Sequence, residues 1–246
     1  MRLKEKAIFN WSGGKDSAFC LNKVLQDQRY EIMCLLTTIS QPYQRISMHG
    51  VRVELLEAQT ERIGLPLLII QIPEMPTMEV YDNTMKAALM DLKVKEVTAS
   101  IFGDIFLEDL RKYREDKLAE LNLKGVFPLW KIPTDKLIRE FLDSGFKAIT
   151  SCVNDKYLDK SFVGRIIDDD FLNDLPDGVD PCGENGEYHS FVFDAPFFSR
   201  PIPFDKGEIV YRKYSSSKQD AADSDTIIDT DSPFNNGFWY CDILPR

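Results

Sequence analysis

The chain has 246 residues, of which 43% are hydrophobic and 28% are charged, the composition of an ordinary globular protein. This composition excludes a collagen-like chain, a fully disordered chain and a small disulfide scaffold. The 30 Lys and Arg residues against 40 Asp and Glu give a net charge of −10, and we expect no nucleic-acid partner because the sequence has no basic cluster to offset the repulsion.

The cysteines and the first residues of the chain indicate a reducing compartment. The five cysteines are Cys20, Cys34, Cys152, Cys182 and Cys241; they form no CxxC pair, so we expect buried or incidental free thiols. The start, MRLKEKAIFNW, has only a short apolar run, unlike a signal peptide or a membrane anchor. We therefore expect a cytoplasmic protein with no membrane partner.

Up to about residue 130, short apolar runs alternate with amphipathic stretches, as in parallel strands joined by crossover helices. The predicted strands cover residues 6–11, 32–39, 67–72, 96–100 and 125–129. The predicted helices cover residues 16–28, 51–63, 78–92 and 106–121, each with apolar residues at three- and four-residue spacing. The expected fold class is α/β, with a doubly wound parallel sheet.

From about residue 131 the pattern of the sequence changes. A predicted helix over 134–142 and a strand over 146–153 precede a stretch rich in Gly, Pro and Asp at 168–186, which indicates a smaller α+β C-terminal lobe. Segment 219–231 carries five Asp and no basic residue, as in a solvated loop or a disordered arm. The predicted divisions are a first domain over 1–130, a second over 131–218 and an acidic, flexible tail over 219–246.

The segment Ser12-Gly13-Gly14-Lys15-Asp16-Ser17 connects the first predicted strand to the first helix. Ligands of open α/β sheets bind at the carboxyl ends of strands. The glycines allow close backbone approach, and the helix N-terminus offers unpaired N–H groups with a partial positive charge. The segment therefore predicts a phosphate cradle, although neither GxxxxGK[ST] nor GxGxxG is present. The alternative is a capped turn in which Ser12 and Asp16 serve only as caps.

This hexapeptide resembles the signature of the PP-loop ATP pyrophosphatases, a Rossmann-like (HUP-type) superfamily that holds the β and γ phosphates and releases pyrophosphate. The resemblance implies that Lys15 meets the phosphate charge, that the hydroxyls of Ser12 and Ser17 contact the phosphates, and that Asp16 holds a bridging Mg²⁺. Gly13 and Gly14 complete the ATP-binding loop. We expect Lys15 to lie in a solvent-reachable loop, where its removal leaves the fold intact.

Four further segments narrow the resemblance. They are ISMHGV at 46–51, FGDIF at 102–106, YRE at 113–115 and DPCGENGEYHS at 180–190. Together with the loop they resemble the diphthine-ammonia ligase family up to about residue 214. In that family the N-terminal domain binds ATP and the C-terminal domain binds the acceptor, a carboxylate on a modified histidine of translation elongation factor two, which becomes an amide through an acyl-adenylate.

The resemblance implies roles for residues in these segments. The ATP site gains His49 and Gly103, the catalytic residues are Lys15, Asp16 and Asp104, and the acceptor is bound by Tyr113, Glu184, Glu187 and His189. Each residue also has an ordinary structural interpretation. These interpretations are helix capping for His49 and Asp104, burial in the interior for His189, solvation in a turn for the two glutamates and the polar face of a helix for Tyr113.

The C-terminal motif departs from the family's usual EGGEYET. It reads ENGEYHS at 184–190, with Asn185 in place of Gly and His189 in place of the last Glu. This variant resembles a bacterial branch for which a different acceptor, a corrinoid-salvage intermediate, has been suggested. A neutral His189 also removes a negative charge, which makes an acceptor more anionic than diphthine electrostatically acceptable.

The leading prediction is an ATP-dependent amide-forming ligase that adenylates a carboxylate, because adenylation converts its oxygen into a good leaving group. Its cofactors are ATP and Mg²⁺, its partners are the carboxylate-bearing acceptor and ammonia, and a homodimer is one assembly that the resemblance allows. A PP-loop sulfur transferase acting on tRNA is the first alternative, disfavoured by the missing CxxC and the acidic charge. A non-catalytic ATP-binding regulator is the second, disfavoured by the intact loop.

Overall fold

The computed structural model describes residues 4–46, 49–74, 76–213 and 237–246. The acidic segment 219–231 lies outside the described residues, as do residues 47 and 48 of the ISMHGV segment. The strands are β1 (Glu5–Asn10), β2 (Tyr30–Ser40), β3 (Arg45–Ile46), β4 (Leu67–Ile72), β5 (Ala99–Ile101), β6 (Lys124–Val126), β7 (Lys147–Asn154), β8 (Tyr188–Asp194), β9 (Phe204–Lys213) and β10 (Gly237–Pro245). The helices are α1 (Lys15–Asp27), α2 (Val53–Ile63), α3 (Met78–Val94), α4 (Glu108–Ala119), α5 (Thr134–Asp143) and α6 (Asp169–Asn173).

The first sheet has the parallel strand order β4-β2-β1-β5-β6, and the short β3 pairs antiparallel with the end of β2. The chain builds outward from β1 through β2 to β4, then returns to the other side of β1 for β5 and β6. This reversal is a topological switch point, where ligands of doubly wound sheets bind. The predicted α/β class is confirmed, and the predicted elements of this lobe shift by no more than three residues at their ends.

Both faces of the first sheet are covered, because its side chains alternate between them. Phe9 of β1 is fully buried in a core that includes Phe19 of α1 and Leu55 of α2. Its neighbour Ile8 faces the opposite core, with Leu89 of α3 and Leu118 of α4 among its members. The helices thus lie on the two faces in pairs, and the loops at the carboxyl ends of β1 and β5 are left at the open edge.

The second sheet is antiparallel and has the order β8-β7-β10-β9, in agreement with the predicted smaller lobe. Its strand β10 corrects the predicted tail of residues 219–246, because residues 237–245 lie between two other strands. Phe238, Cys241 and Ile243 of β10 are buried. The prediction was wrong because it extended the acidic, flexible character of residues 219–231 to the end of the chain. Residues 238–241, however, form the apolar run Phe-Trp-Tyr-Cys.

The two lobes share one continuous core. Phe19 of α1 lies edge-on to Phe141 and Phe146 of the second lobe, with ring centroids 6.2 and 5.7 Å apart. Asp242 of β10 adds ion pairs to Arg45 at 2.9 Å and to Arg52 at 2.6 Å in the first lobe. These contacts hold the two lobes against each other. Within the described ranges, no helix is long and apolar enough to cross a membrane.

Candidate active site

The loop between β1 and α1 is shaped by Gly13, whose φ of +72° is in the left-handed region. A Cβ on Gly13 would lie 2.6 Å from Oε1 of Gln59. Gln59 is fully buried, donates from Nε2 to the Gly13 carbonyl at 2.9 Å, and accepts from Trp11 Nε1 at 3.0 Å. Gly13 therefore allows the loop to pack against α2. It shapes the cleft, although it does not line it.

The other residues of the loop line a cleft of about 720 Å³ between the lobes. Ser12 Oγ donates to Ser17 Oγ at 3.0 Å, and Ser17 Oγ lies 3.0 Å from the Gly14 carbonyl. The backbone N–H of Lys15 donates to Oγ of Ser190 in β8 at 3.1 Å. The second lobe thus supports the N-terminus of α1, a contact that the sequence did not indicate.

Lys15 is the first residue of α1 and is only 3% exposed. The expectation of a solvent-reachable lysine was wrong, because the second lobe covers its stem. Its Nζ lies 2.8 and 2.7 Å from the two carboxylate oxygens of Asp16 and 5.2 Å from the ring centroid of Tyr188. Burial is the largest single influence and lowers the pKa of Lys15, but the Asp16 carboxylate, with smaller contributions from Tyr188 and Cys182, raises the net pKa above its usual value. The ammonium is therefore charged and faces the cleft.

Gly103 brings the loop after β5 against the start of α1. A Cβ at this position would lie 3.1 Å from the Asp16 carbonyl carbon and from the Ser17 nitrogen, so only glycine fits without moving the backbone. The next residue, Asp104, has Oδ2 3.2 Å from Arg114 Nε, an ion pair without hydrogen-bond geometry. Burial raises the pKa of Asp104, Arg114 opposes this shift, and Asp16 adds to it.

Glu184 brings a third carboxylate to the cleft from the second lobe. Its Oε1 accepts the N–H of Ile105 at 3.0 Å. Burial, and then the charge of Asp16, raise the pKa of Glu184 to about 7. Such a carboxyl group can accept or release a proton near neutral pH.

The two histidines of the chain meet in the cleft. His49 of the first lobe stacks on His189 of the second, with centroids 4.5 Å apart and an interplanar angle of 29°. Burial lowers the pKa of His49 to about 4, and the charge of Lys15 adds to this shift. Burial also lowers the pKa of His189, with further contributions from His49 and Lys15. Both rings are therefore neutral at pH 7, and the predicted ATP residue and acceptor residue are direct neighbours.

Two predicted acceptor residues do not line the cleft. Glu187 is 1% exposed, and its carboxylate accepts the backbone N–H groups of Asp180 at 3.0 Å and Asn185 at 2.9 Å. It therefore holds the turn that presents Glu184, and the prediction of direct substrate contact is corrected. Tyr113 donates its hydroxyl to Asp82 and lines a neighbouring cavity. The spacing of residues in the sequence could not show that these two side chains lie outside the cleft.

The oxygen donors in the cleft fit magnesium. Among the described residues, no three His, Cys, Asp or Glu side chains form a preformed metal site. Mg²⁺ is usually held by one or two carboxylates, with waters and substrate phosphates as its other ligands. Asp16, the predicted ligand, lines the cleft close to Asp104. These two carboxylates match that donor set.

The raised pKa of Glu184 predicts how stability changes with pH. In the unfolded chain this carboxyl has its ordinary pKa of 4.5, and in the folded protein the value is about 7. Between these values the folded state holds a proton that the unfolded state has lost, so folding stability falls as pH rises through this window. The Glu184→Gln variant does not titrate and keeps an acceptor for Ile105. We expect its melting temperature, relative to that of the unmodified chain, to rise from pH 4.5 to 7 and then level off.

Thermal melts of the two chains in matched buffers measure this difference. The titrations of His49 and His189 are common to both chains and cancel. A difference in melting temperature that is constant from pH 4.5 to 8 would contradict the burial and charge assigned to Glu184.

Comparison with known proteins gives family matches along most of the chain. The family model described as the diphthamide synthase N-terminal domain matches residues 5–125, and the one described as the diphthamide synthase C-terminal domain matches residues 133–219. The human protein named diphthine–ammonia ligase is 27% identical, over 81% of this chain and 82% of its own. The mouse protein of that name is 28% identical with the same coverage.

A solved structure, the U34-tRNA thiolase NcsA from Methanococcus maripaludis with its [4Fe-4S] cluster, overlaps only weakly. The TM-score is 0.36 at 22% identity, over 57% of this chain and 58% of that chain. The two family models, in contrast, follow each other in order along the chain, and the first ends within β6. This chain belongs to the diphthamide synthase family, whose curated relatives named here are diphthine–ammonia ligases.

Proposed function

We propose that this protein is an ATP-dependent ligase that adenylates an acceptor carboxylate, releases pyrophosphate and then lets ammonia displace AMP. The observation that carries the proposal is a single cleft at the switch point, lined by Lys15, by Asp16 and Asp104 of the first lobe, and by Glu184 of the second. The names of the relatives support the same reaction class. The acceptor is diphthine or, as the ENGEYHS variant suggests, another carboxylate such as a corrinoid-salvage intermediate.

Different parts of the cleft suit the phosphates and the nucleoside of ATP. Phosphates are held at the N-terminus of α1, where the loop, the helix dipole and Lys15 are all electropositive. The nucleoside lies toward the ends of β1 and β2, where Leu36, Thr37 and Ile46 line the cleft. Mg²⁺, held by Asp16 with Asp104 beside it, would offset the charge of the phosphates.

The first chemical step forms a bond between an acceptor carboxylate oxygen and the α phosphorus, and it breaks the bond to the pyrophosphate oxygen. Lys15 stabilises the charge that develops on this leaving group. In the second step the ammonia nitrogen bonds to the acyl carbon and AMP leaves. Ammonium must lose a proton before it can attack, and Glu184, with its pKa near 7, is the cleft residue best suited to accept it.

The cysteines do not favour the alternative of a sulfur transferase. All five are free and buried. Burial raises the pKa of each thiol, that of Cys152 to about 12, whereas sulfur transfer requires an accessible thiolate. Amide formation needs no thiol.

The acceptor is identified by incubating the purified protein with ATP, ammonium chloride and either diphthine-bearing elongation factor two or a corrinoid with free side-chain carboxylates. We expect amide, detected by mass spectrometry, to form with one acceptor and to require both ATP and ammonium. Amide formation without ATP, or AMP release without any amide, would contradict the proposal.

A further inference from the structure

A second cavity, here called the side cavity, lies between α3 and α4 and has a volume of about 500 Å³. It adjoins the cleft, because one set of residues lines both spaces. This set comprises Asn10, Tyr81, Met85, Leu110 and Arg114. The loop over residues 12–17, here called the phosphate loop, lines the cleft and not the side cavity, so a nucleotide bound at this loop would leave the side cavity open to a second substrate.

The walls of the side cavity change from apolar to polar along its length. Leu89, Leu118 and Leu121 on the inner walls are buried. Asn83 and Lys86 of α3 are exposed at the outer rim. The side cavity therefore connects the protein surface to the cleft through a mainly apolar section.

Most charged side chains of this cavity pair with one another. Glu79, which is exposed, forms no ion pair with another described residue, and Arg114 at the inner end is paired only loosely. Lys117 lies 2.6 Å from Asp82, and Lys86 lies 3.1 Å from Glu120. Arg114 contacts Asp104 only through the poorly aligned ion pair, and its guanidinium lies 4.4 Å from the Phe102 ring centroid. It donates no hydrogen bond to another described residue, so its planar fork of N–H groups is available to a carboxylate.

We propose that the side cavity admits the acceptor, as a carboxylate at the end of an extended and mainly apolar arm, and that Arg114 binds this carboxylate beside the nucleotide. The inference rests on the proposed ligase function. Adenylation requires both substrates to be bound at once with their reacting atoms in contact, and the junction at Arg114 is where the two spaces meet. The acceptor thus enters through the first lobe and not through the Glu187 turn. Its arm belongs either to a protein side chain or to a free small molecule.

Selective labelling can close the side cavity. Since all five native cysteines are buried, the Asn83→Cys variant carries one accessible thiol at the rim. Methyl methanethiosulfonate adds a small group there, and N-(1-pyrenyl)maleimide adds a large one. With diphthine-bearing elongation factor two or a corrinoid carboxylate as acceptor, we expect the pyrenyl label to raise the acceptor KM at least about tenfold, the small label to raise it less, and ATP affinity to stay unchanged.

The matched control is the Met90→Cys variant with the same labels, because Met90 is 53% exposed on α3 and does not line the side cavity. We expect its acceptor KM to be unaffected. An effect with only one of the two acceptors would assign the arm to that source. An unchanged KM in the fully labelled Asn83→Cys chain would overturn the inference. Absence of acceptor-dependent AMP in the unlabelled chain with both acceptors would instead contradict the ligase function, and the inference with it.

Discussion

Replacing Lys15 with methionine should lower the rate of acceptor-dependent AMP formation by about a hundredfold or more, the usual cost of losing one charged contact to a leaving group. Lys15 is the buried cation at the phosphate loop, and its Nζ is held at 2.7 Å by Asp16. Methionine keeps most of the stem that packs near Tyr188, so the variant should fold. Steady-state rates, together with a thermal melt, separate loss of chemistry from loss of structure.

The Lys23→Met variant is the control for Lys15. Lys23 lies on the same helix and pairs with Glu140 at 2.9 Å near the surface, where an ion pair contributes little. We expect nearly unchanged rates for this variant. A folded Lys15→Met chain with the rate of the unmodified protein would contradict the role of Lys15 on the phosphates.

Ending the chain at residue 236 should unfold the second lobe and abolish AMP formation. This truncation removes β10, which pairs with β7 on one side and with β9 on the other. It also removes the buried side chains of Phe238 and Ile243 and both ion pairs of Asp242 to the first lobe. Burying one large apolar side chain is worth about 1.5–3 kcal/mol, so these losses are a large share of a typical domain's stability.

Circular dichroism and limited proteolysis would measure this loss of structure. The matched control is a deletion of residues 219–231, which keeps β10. This segment is longer than residues 237–246 but contains few apolar residues. From its composition we expect it to leave ATP cleavage and melting temperature nearly unchanged. A truncated chain that melts like the full chain would contradict the central place of β10.

The position of the loop over residues 12–17 could be predicted because the elements on either side of it are local. Gly13 and Lys15 act within one strand–loop–helix unit, and hydrophobic periodicity defined that unit. Asp104 could also be placed, because the end of β5 lies next to the end of β1 in a doubly wound sheet. The positions of the first-lobe residues that line the cleft were therefore mostly predictable from the sequence.

The second lobe was less accessible, because its contacts join distant parts of the chain. The hydrogen bond from Lys15 to Ser190 spans 175 positions, and no local pattern encodes it. Glu184 and Glu187 lie three residues apart in one motif. Glu184 faces the cleft, whereas the carboxylate of Glu187 accepts hydrogen bonds from the backbone of the turn. The side cavity likewise depends on how α3 packs beside α4, which periodicity alone does not specify.

Phosphorus NMR of a complete reaction shows directly at which phosphorus ATP is cleaved. With ATP, Mg²⁺, ammonium and an accepted carboxylate, we predict AMP and pyrophosphate in equal amounts, matched by the amount of amide. A loop that holds the terminal phosphates together leaves the α phosphorus open to attack. ADP and orthophosphate as the products, with no AMP, would exclude attack at the α phosphorus and with it the adenylation step.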